Sequence, residues 1–160
     1  MIGLIHFRNE EARPDDSTVH ERYYEQICEK LKQDPFGRLL GIRLLEVGEG
    51  TATAELDVTY DMLNAHGTTH GGVIFSLADF VFAVASNSYG KTSVALSMNI
   101  GYLAASSAGT RLRATAVEEN RTPRTAWYRI RVENEHGTVA LLDALAYRKN
   151  HYFVPVEPHK

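Results

Sequence analysis

Residues 64–89 read NAHGTTHGGVIFSLADFVFAVASNSY, which places two adjacent glycines directly before an apolar segment. From Val73 to Ala85, only Ser76 and Asp79 are not apolar. A helix that is apolar on every side belongs in a protein core rather than on a surface. The segment is too short to span a bilayer and ends in serine and asparagine. We therefore expect a central core helix that begins at the glycines.

Asp79 lies in the middle of this apolar segment. A carboxylate there costs several kcal/mol unless it is paired or its pKa changes. Catalysis is one reason to retain such a group. A structural carboxylate that bonds a neighbouring hydroxyl or backbone group is the alternative.

The composition indicates one globular domain. The chain has 160 residues, of which 44% are hydrophobic, and its net charge of −3 gives no basic field that would attract nucleic acid or anionic lipid. A single cysteine, Cys28, excludes an internal disulfide and is typical of a reducing compartment. The opening MIGLIHF has too short an apolar run for a signal peptide. We expect a cytoplasmic protein with no membrane or nucleic-acid partner.

The region before the core helix begins with a mixed segment, residues 1–16, which we interpret as a loose arm. Thr18 and Glu21 have capping-box spacing, and helical periodicity continues to Leu31. Asp34-Pro35 is expected to stop that helix. We divide the single predicted domain of 1–160 into an arm and helix (1–35), a core (36–150) and a tail (151–160).

The rest of the core has strand patterns. Thr51–Thr59 alternates strictly between small or apolar residues and polar ones, which indicates a half-buried strand. Turn residues separate its partner at 42–47 and four later strands at about 92–103, 110–119, 124–134 and 137–149. The short links in the second half predict an antiparallel meander, so the class is α+β.

Three short motifs give this chain a family resemblance. Asn64–Gly67, His70–Gly72 and Phe75–Asp79 look like the active-site segment of the PaaI-type acyl-CoA thioesterases, which are linked to degradation of phenylacetate and other aromatic acids. The order of elements resembles that family's hotdog fold, an antiparallel sheet curled round a long central helix, here with an extra N-terminal helix. The likeness extends over about residues 36–149.

The resemblance implies hydrolysis of an acyl-CoA thioester to the free acid and CoA, with an aromatic or a short to medium acyl group. By motif position, the Gly71 backbone N–H polarises the carbonyl, Asp79 is the nucleophile or general base, and Asn64 places the carbonyl or the water. Chemistry agrees, because a helix start offers unpaired N–H groups and glycine admits a substrate to the backbone. No cofactor is expected, since CoA is part of the substrate.

Further residues are expected to bind substrate, although each also has an ordinary structural interpretation. His66 and His70 are four residues apart, but a glycine separates them and no third ligand is evident, so we expect loop contacts rather than a metal. The full expected set comprises the two histidines, the second glycine, two aromatics, a serine and two arginines suited to CoA phosphates: His66, His70, Gly72, Phe75, Ser76, Phe80, Arg121 and Arg124. Phe82 and Tyr102 are further candidates for an aryl pocket.

The spacing of the two main residues predicts a dimer. Gly71 and Asp79 are eight residues apart, which is about 12 Å along one helix, whereas both must reach the same reacting atoms. Two antiparallel helices from two subunits satisfy this requirement, so we expect a homodimer with shared sites. Trp127 is a candidate contact for a tetramer built as a dimer of dimers.

Two other functions remain open at this stage. One is a hotdog enoyl-CoA hydratase, which usually needs an Asp–His pair at a different spacing, and the other is a non-catalytic acyl-CoA sensor. The segment Tyr102–Ser106 also lacks the Arg-Pro pair that many relatives carry after the corresponding strand. That absence removes one expected phosphate contact.

Overall fold

The computed structural model describes residues 15–157 and contains four α-helices within that range. Two short helices begin the described chain, a third follows a proline, and the fourth is the longest at 17 residues. Their bounds are α1 Asp16–Arg22, α2 Tyr24–Leu31, α3 Pro35–Leu39 and α4 Gly71–Asn87, with a single 3₁₀ turn at Tyr60–Met62.

Six strands form one antiparallel sheet in the order β1-β2-β4-β5-β6-β3. The strands are β1 Arg43–Gly48, β2 Thr51–Asp57, β3 Lys91–Tyr102, β4 Arg111–Arg121, β5 Thr125–Asn134 and β6 Gly137–Tyr152. β1 and β3 are therefore the edge strands, and β3 leaves one side without a hydrogen-bonding partner within the described chain.

Helix α4 packs against one face of the sheet and contacts all six strands. Small residues on β2, β4 and β6, such as Ala54, Ala114 and Ala144, are fully buried beneath it. Their short side chains allow the helix to lie close to the sheet, while Leu77, Phe82 and other helix residues fill the space between. This arrangement confirms the predicted hotdog fold and the predicted core helix.

The N-terminal region differs from the prediction in its details. The predicted single helix is two helices, and the N-cap of the first is Asp15, whose carboxylate accepts hydrogen bonds from the Thr18 N–H and hydroxyl. The predicted Thr18 cap is therefore wrong, because an aspartate lies three residues earlier. Most of the predicted arm, residues 1–14, lies outside the described residues.

Three further expectations need correction. Asp34-Pro35 starts α3 instead of only ending a helix: Asp34 accepts a hydrogen bond from the Gly37 N–H, and proline occupies the first turn, where no N–H is needed. The predicted meander holds for β4, β5 and β6, but β3 pairs with β6 across the chain order. The predicted tail is partly strand, since β6 continues to Tyr152.

Candidate active site

The start of α4 has an unusual cap. His70 is the N-cap residue, and its Nδ1 accepts a hydrogen bond from the Gly72 N–H at 2.9 Å. Nδ1 must then be the unprotonated ring nitrogen. The Val73 N–H donates to the His70 carbonyl at 2.9 Å. Among the described residues no acceptor meets the Gly71 N–H, so this donor is available to a ligand.

The Tyr102 side chain lies directly against Gly71. The Tyr102 hydroxyl donates to the Gly71 carbonyl oxygen at 2.9 Å. A Cβ added at Gly71 would lie only 3.0 Å from the Cζ and Oη atoms of that ring. A side chain at this position would therefore push against the Tyr102 ring, so glycine favours the close contact.

Asp79 lies two turns further along the same unbroken helix, with its carboxylate half-buried. None of the described residues donates a hydrogen bond to it. Burial raises the pKa of the Asp79 carboxyl above its ordinary value, and the negative charge of Asp34 raises it further. The structural alternative of a carboxylate bonded to a neighbouring hydroxyl is therefore not what the described chain shows.

Asp34 reaches this neighbourhood because α3 docks on α4 beside Asp79. A Cβ at Gly37 would lie 2.8 Å from the Phe80 ring and 3.2 Å from an Asp34 carboxylate oxygen. Gly37 thus lets the two helices approach closely. Phe80 itself packs half-buried against the core. The result is a partly dehydrated carboxylate, a state that suits a general base or nucleophile.

The loop before α4 is organised by Asn64. Its side-chain oxygen accepts hydrogen bonds from the His66 N–H at 2.9 Å and the Thr68 N–H at 3.2 Å, and its amide donates to the Thr68 hydroxyl. Asn64 therefore holds the loop that leads into the His70 cap. His66 is exposed at the tip of this loop.

Other predicted binding residues divide between the site and the core. The Ser76 hydroxyl donates to the Gly72 carbonyl oxygen at 2.7 Å and not to the Asp79 carboxylate. Gly72 is exposed and Phe75 half-buried. Phe82 is fully buried and meets Tyr128 edge to face, so it belongs to the core rather than to an aryl pocket.

The arginines predicted to bind CoA phosphates lie in the hairpin between β4 and β5. Arg121 is ion-paired with Asp16 and Glu118 and stacks over the Tyr89 ring at 4.1 Å. Arg124 is exposed, and no residue between 15 and 157 pairs with its guanidinium. Arg124 is therefore the more accessible of the two to an incoming anion.

Three residues occupy roles that the sequence interpretation does not give them. From the sequence, Asp34 is expected only to stop a helix, Tyr102 only to line an aryl pocket, and Asp16 to belong to a loose arm. Asp-Pro is a frequent helix start as well as a stop, so that signal is present in the sequence. Tyr102 contacts Gly71, 31 residues away in the sequence, and no local pattern indicates this contact.

Two other features, a metal-binding cluster and a membrane-spanning helix, are absent from the described residues. Between residues 15 and 157, no group of three or more His, Cys, Asp or Glu side chains is arranged to hold a metal ion. No helix in that range combines the length and apolar character needed to cross a membrane.

Comparison of the sequence with known proteins finds relatives among the thioesterases. The family model of the Thioesterase superfamily matches residues 66–141. The acyl-coenzyme A thioesterase PaaI of Escherichia coli K12 is 39% identical over 131 residues, which cover 81% of this chain and 88% of that protein.

Solved structures agree with the sequence comparison. The E. coli PaaI protein from the phenylacetic acid degradation operon superposes with a TM-score of 0.77 at 34% identity, covering 86% of this chain and 99% of that one. A mutant of the phenylacetic acid degradation protein PaaI from Thermus thermophilus has a TM-score of 0.71 at 43% identity, covering 72% and 100%.

The chain therefore belongs to the thioesterase superfamily, and within it to the PaaI-type hotdog thioesterases. It is a hydrolase of the thioesterase class.

Proposed function

We propose that this protein hydrolyses the thioester of an acyl-CoA to the free acid and CoA, with an aromatic or a short to medium acyl group. One observation carries the proposal: α4 presents at Gly71 an N–H with no acceptor among residues 15–157 and, two turns later, a half-buried carboxylate at Asp79 whose pKa is raised. The names of the two PaaI relatives support an acyl-CoA substrate and favour aromatic acids.

In the proposed reaction the thioester carbonyl oxygen accepts a hydrogen bond from the Gly71 N–H at the positive end of the α4 dipole. Asp79 either attacks the carbonyl carbon, forming an anhydride that water then opens, or takes a proton from the attacking water. The C–S bond breaks and CoA leaves with its sulfur, which gains a proton. Water thus supplies the hydroxyl of the acid and the hydrogen of the thiol.

The site is proposed to form between two subunits. Gly71 and Asp79 share one continuous helix, so about 12 Å separates them along its axis. β3 supports this arrangement, because it is an edge strand with no second strand partner among the described residues and with exposed apolar residues at Val94 and Leu96. An unpaired apolar edge favours pairing with another chain. Pairing of two β3 strands would bring two α4 helices side by side.

A tetramer, built as a dimer of dimers, is a further part of the proposal. Trp127 and Tyr147 are partly exposed on paired strands of the outer face of the sheet. Large aromatic groups on an outer face are typical of protein contacts.

We assign the remaining binding roles from the positions of the residues around the start of α4. His70 and Gly72 shape the helix start, Phe75 and Phe80 flank the acyl group, and Ser76 lines the wall between them. Asn64 and His66 form the loop that covers the thioester. Arg124, assisted by Arg121, binds phosphate groups of CoA at the surface.

The test is release of free thiol, measured with a thiol-reactive dye, over a panel of aryl-CoA and straight-chain acyl-CoA esters. Wild type should hydrolyse at least one ester, and Asp79→Asn should lose about a hundredfold or more in kcat. Asp61→Asn, at an exposed aspartate of the 3₁₀ turn, is the matched control and should retain full activity.

Thermal stability separates a lost catalytic group from a damaged fold. Because the pKa of Asp79 is raised in the folded chain, its ionisation is unfavourable there relative to the unfolded chain. Stability therefore falls as the pH rises from the ordinary aspartate range through the raised pKa. At neutral pH the Asp79→Asn variant should unfold at the same temperature as wild type or a higher one.

Three results would overturn the proposal in whole or in part. Tight binding of CoA esters without any thiol release would favour a sensor. Loss of the enoyl absorbance without thiol release would favour a hydratase. Equal thiol release by wild type and Asp79→Asn would remove Asp79 from its role.

A further inference from the structure

Tyr102 is held between the open sheet edge and the start of α4. It is the last residue of β3, and 52% of it is exposed. Its hydroxyl donates to the Gly71 carbonyl oxygen at 2.9 Å, and its ring lies directly against Gly71. The same side chain thus borders solvent and the first helical turn.

The peptide unit that joins Gly71 to Gly72 is consequently fixed at both of its polar ends. Tyr102 binds its carbonyl oxygen, and the His70 Nδ1 binds its N–H. Two consecutive glycines give this turn more backbone freedom than any other residues would. The two hydrogen bonds restrict that freedom next to the Gly71 N–H, which has no partner within the described chain.

We propose that Tyr102 is a positioning residue, which holds the first turn of α4 so that the Gly71 N–H stays aimed at the thioester carbonyl. This inference rests on the proposed function of Gly71. An oxyanion donor is effective only when it is fixed before the reaction, because reorienting it during the reaction costs the stabilisation it would give. Tyr102 touches Gly71 and acts through it.

A purely structural role fits the contacts less well. β3 is already attached to β6 along its length through antiparallel pairing, so one further bond adds little to its attachment. A hydrogen bond at a half-exposed site contributes little to stability, since even a typical intramolecular one makes a modest net contribution. The Tyr102 hydroxyl should therefore matter more for the orientation of the turn than for the fold.

The test compares Tyr102→Phe, which keeps the ring and removes the hydroxyl, with wild type. Deleting an oxyanion donor costs about a hundredfold or more in kcat. Loosening one should cost less, and we expect kcat to fall about tenfold while KM stays within about twofold and the melting temperature within about 4 °C. Tyr24→Phe, which removes a comparable hydroxyl–carbonyl hydrogen bond at an exposed tyrosine of α2, is the control and should match wild type.

A second measurement tests the contact itself. Gly71→Ala places a Cβ 3.0 Å from the Tyr102 ring, so the alanine displaces either the turn or the ring. In a Tyr102→Leu background the obstructing hydroxyl and ring edge are absent. Gly71→Ala should therefore cost a smaller factor in kcat in that background than in wild type, which is the signature of two coupled positions.

The outcomes are distinguishable from those of the proposed function. Wild-type hydrolysis that is lost in Asp79→Asn but kept within about twofold in Tyr102→Phe would overturn the role of Tyr102 alone. Additive effects of Gly71→Ala and Tyr102→Leu would do the same. Absence of hydrolysis by wild type would overturn the proposed function, and this inference with it.

Discussion

The two ends of α4 are built in opposite ways. At its C-terminal end, Ser88 is fully buried, its hydroxyl accepts the Gly50 N–H, and its carbonyl oxygen accepts a hydrogen bond from His20. Gly90, at φ 70°, lies against Val154, where a side chain would collide. At the other end the Gly71 N–H has no partner among the described residues, and Gly72 is exposed.

The difference separates the end of α4 that is packed for stability, the closed end, from the end to which we assign the reaction, the open end. Helices α1 and α2 and the residues after β6 form a second hydrophobic cluster around Val19, Ile27 and Val154. This cluster packs against the closed end of α4, at Gly90. The open end has no such cover within the described chain. Perturbing the closed end should lower stability and leave the chemistry intact, whereas perturbing the open end should lower activity and cost only a small part of the stability.

The largest effect is expected at the closed end, in Arg148→Met. The Arg148 side chain is only 3% exposed, and it donates to Asp16 and to the Thr122 carbonyl oxygen. Removing one partner of a buried ion pair costs about 3–5 kcal/mol. Denaturant unfolding should show that loss, while kcat at saturating ester stays within about twofold.

Arg113→Met, at an exposed arginine of β4, is the control and should change neither quantity. A parallel loss of kcat in Arg148→Met, measured under conditions where the variant is folded, would show that the two ends are not separate.

An intermediate effect is expected from the His70 cap. Replacing an N-cap residue by alanine costs about 1 kcal/mol, so His70→Ala should lower the melting temperature by roughly 2–4 °C. His70→Asn should recover most of that loss, because an asparagine side chain also accepts from the first turn. Thermal unfolding of the two variants side by side checks this, and equal melting temperatures would contradict the role of Nδ1 as a cap.

The smallest effect is a shift of the pH profile in Asp34→Asn. In the proposed reaction ionised Asp79 is the active form, so kcat/KM should rise with pH through the raised pKa of Asp79. Removing the charge of Asp34 lowers the pKa of Asp79, and the acid limb should move to lower pH. Asparagine keeps the α3 cap, so stability should change little.

A control for this shift is Asp15→Asn, which alters the corresponding cap of α1. Its pH profile should match that of wild type. An unmoved acid limb in Asp34→Asn would mean that Asp34 does not act on the reacting carboxylate.

The elements that could be predicted from the sequence are those with a local signature. The all-apolar helix, the alternating strand Thr51–Asp57 and the glycine-rich helix start each follow from periodicity or backbone freedom within a few residues. Gly71, Asp79 and the loop at Asn64 are candidates for the same reason, and the first two share one helix as expected.

The elements that could not be predicted depend on distant contacts. The ion pairs of Asp16 join it to residues 105 and 132 positions later. The pairing of β3 with β6 skips two strands, so the open edge could not be located from the chain order. Helix α3 could not be predicted because Asp34-Pro35 fits either the end or the start of a helix. The contact with Phe80 that accompanies the helix start is a tertiary one, which the local sequence does not indicate.

The most direct test of the account is subunit complementation between Gly71→Val and Asp79→Asn, two variants expected to be inactive alone. If each site takes Gly71 from one subunit and Asp79 from the other, a mixed dimer contains one intact site. Random reassortment after unfolding and refolding together should then restore about a quarter of wild-type activity. Activity no higher than the average of the two separate variants would contradict a site shared between subunits.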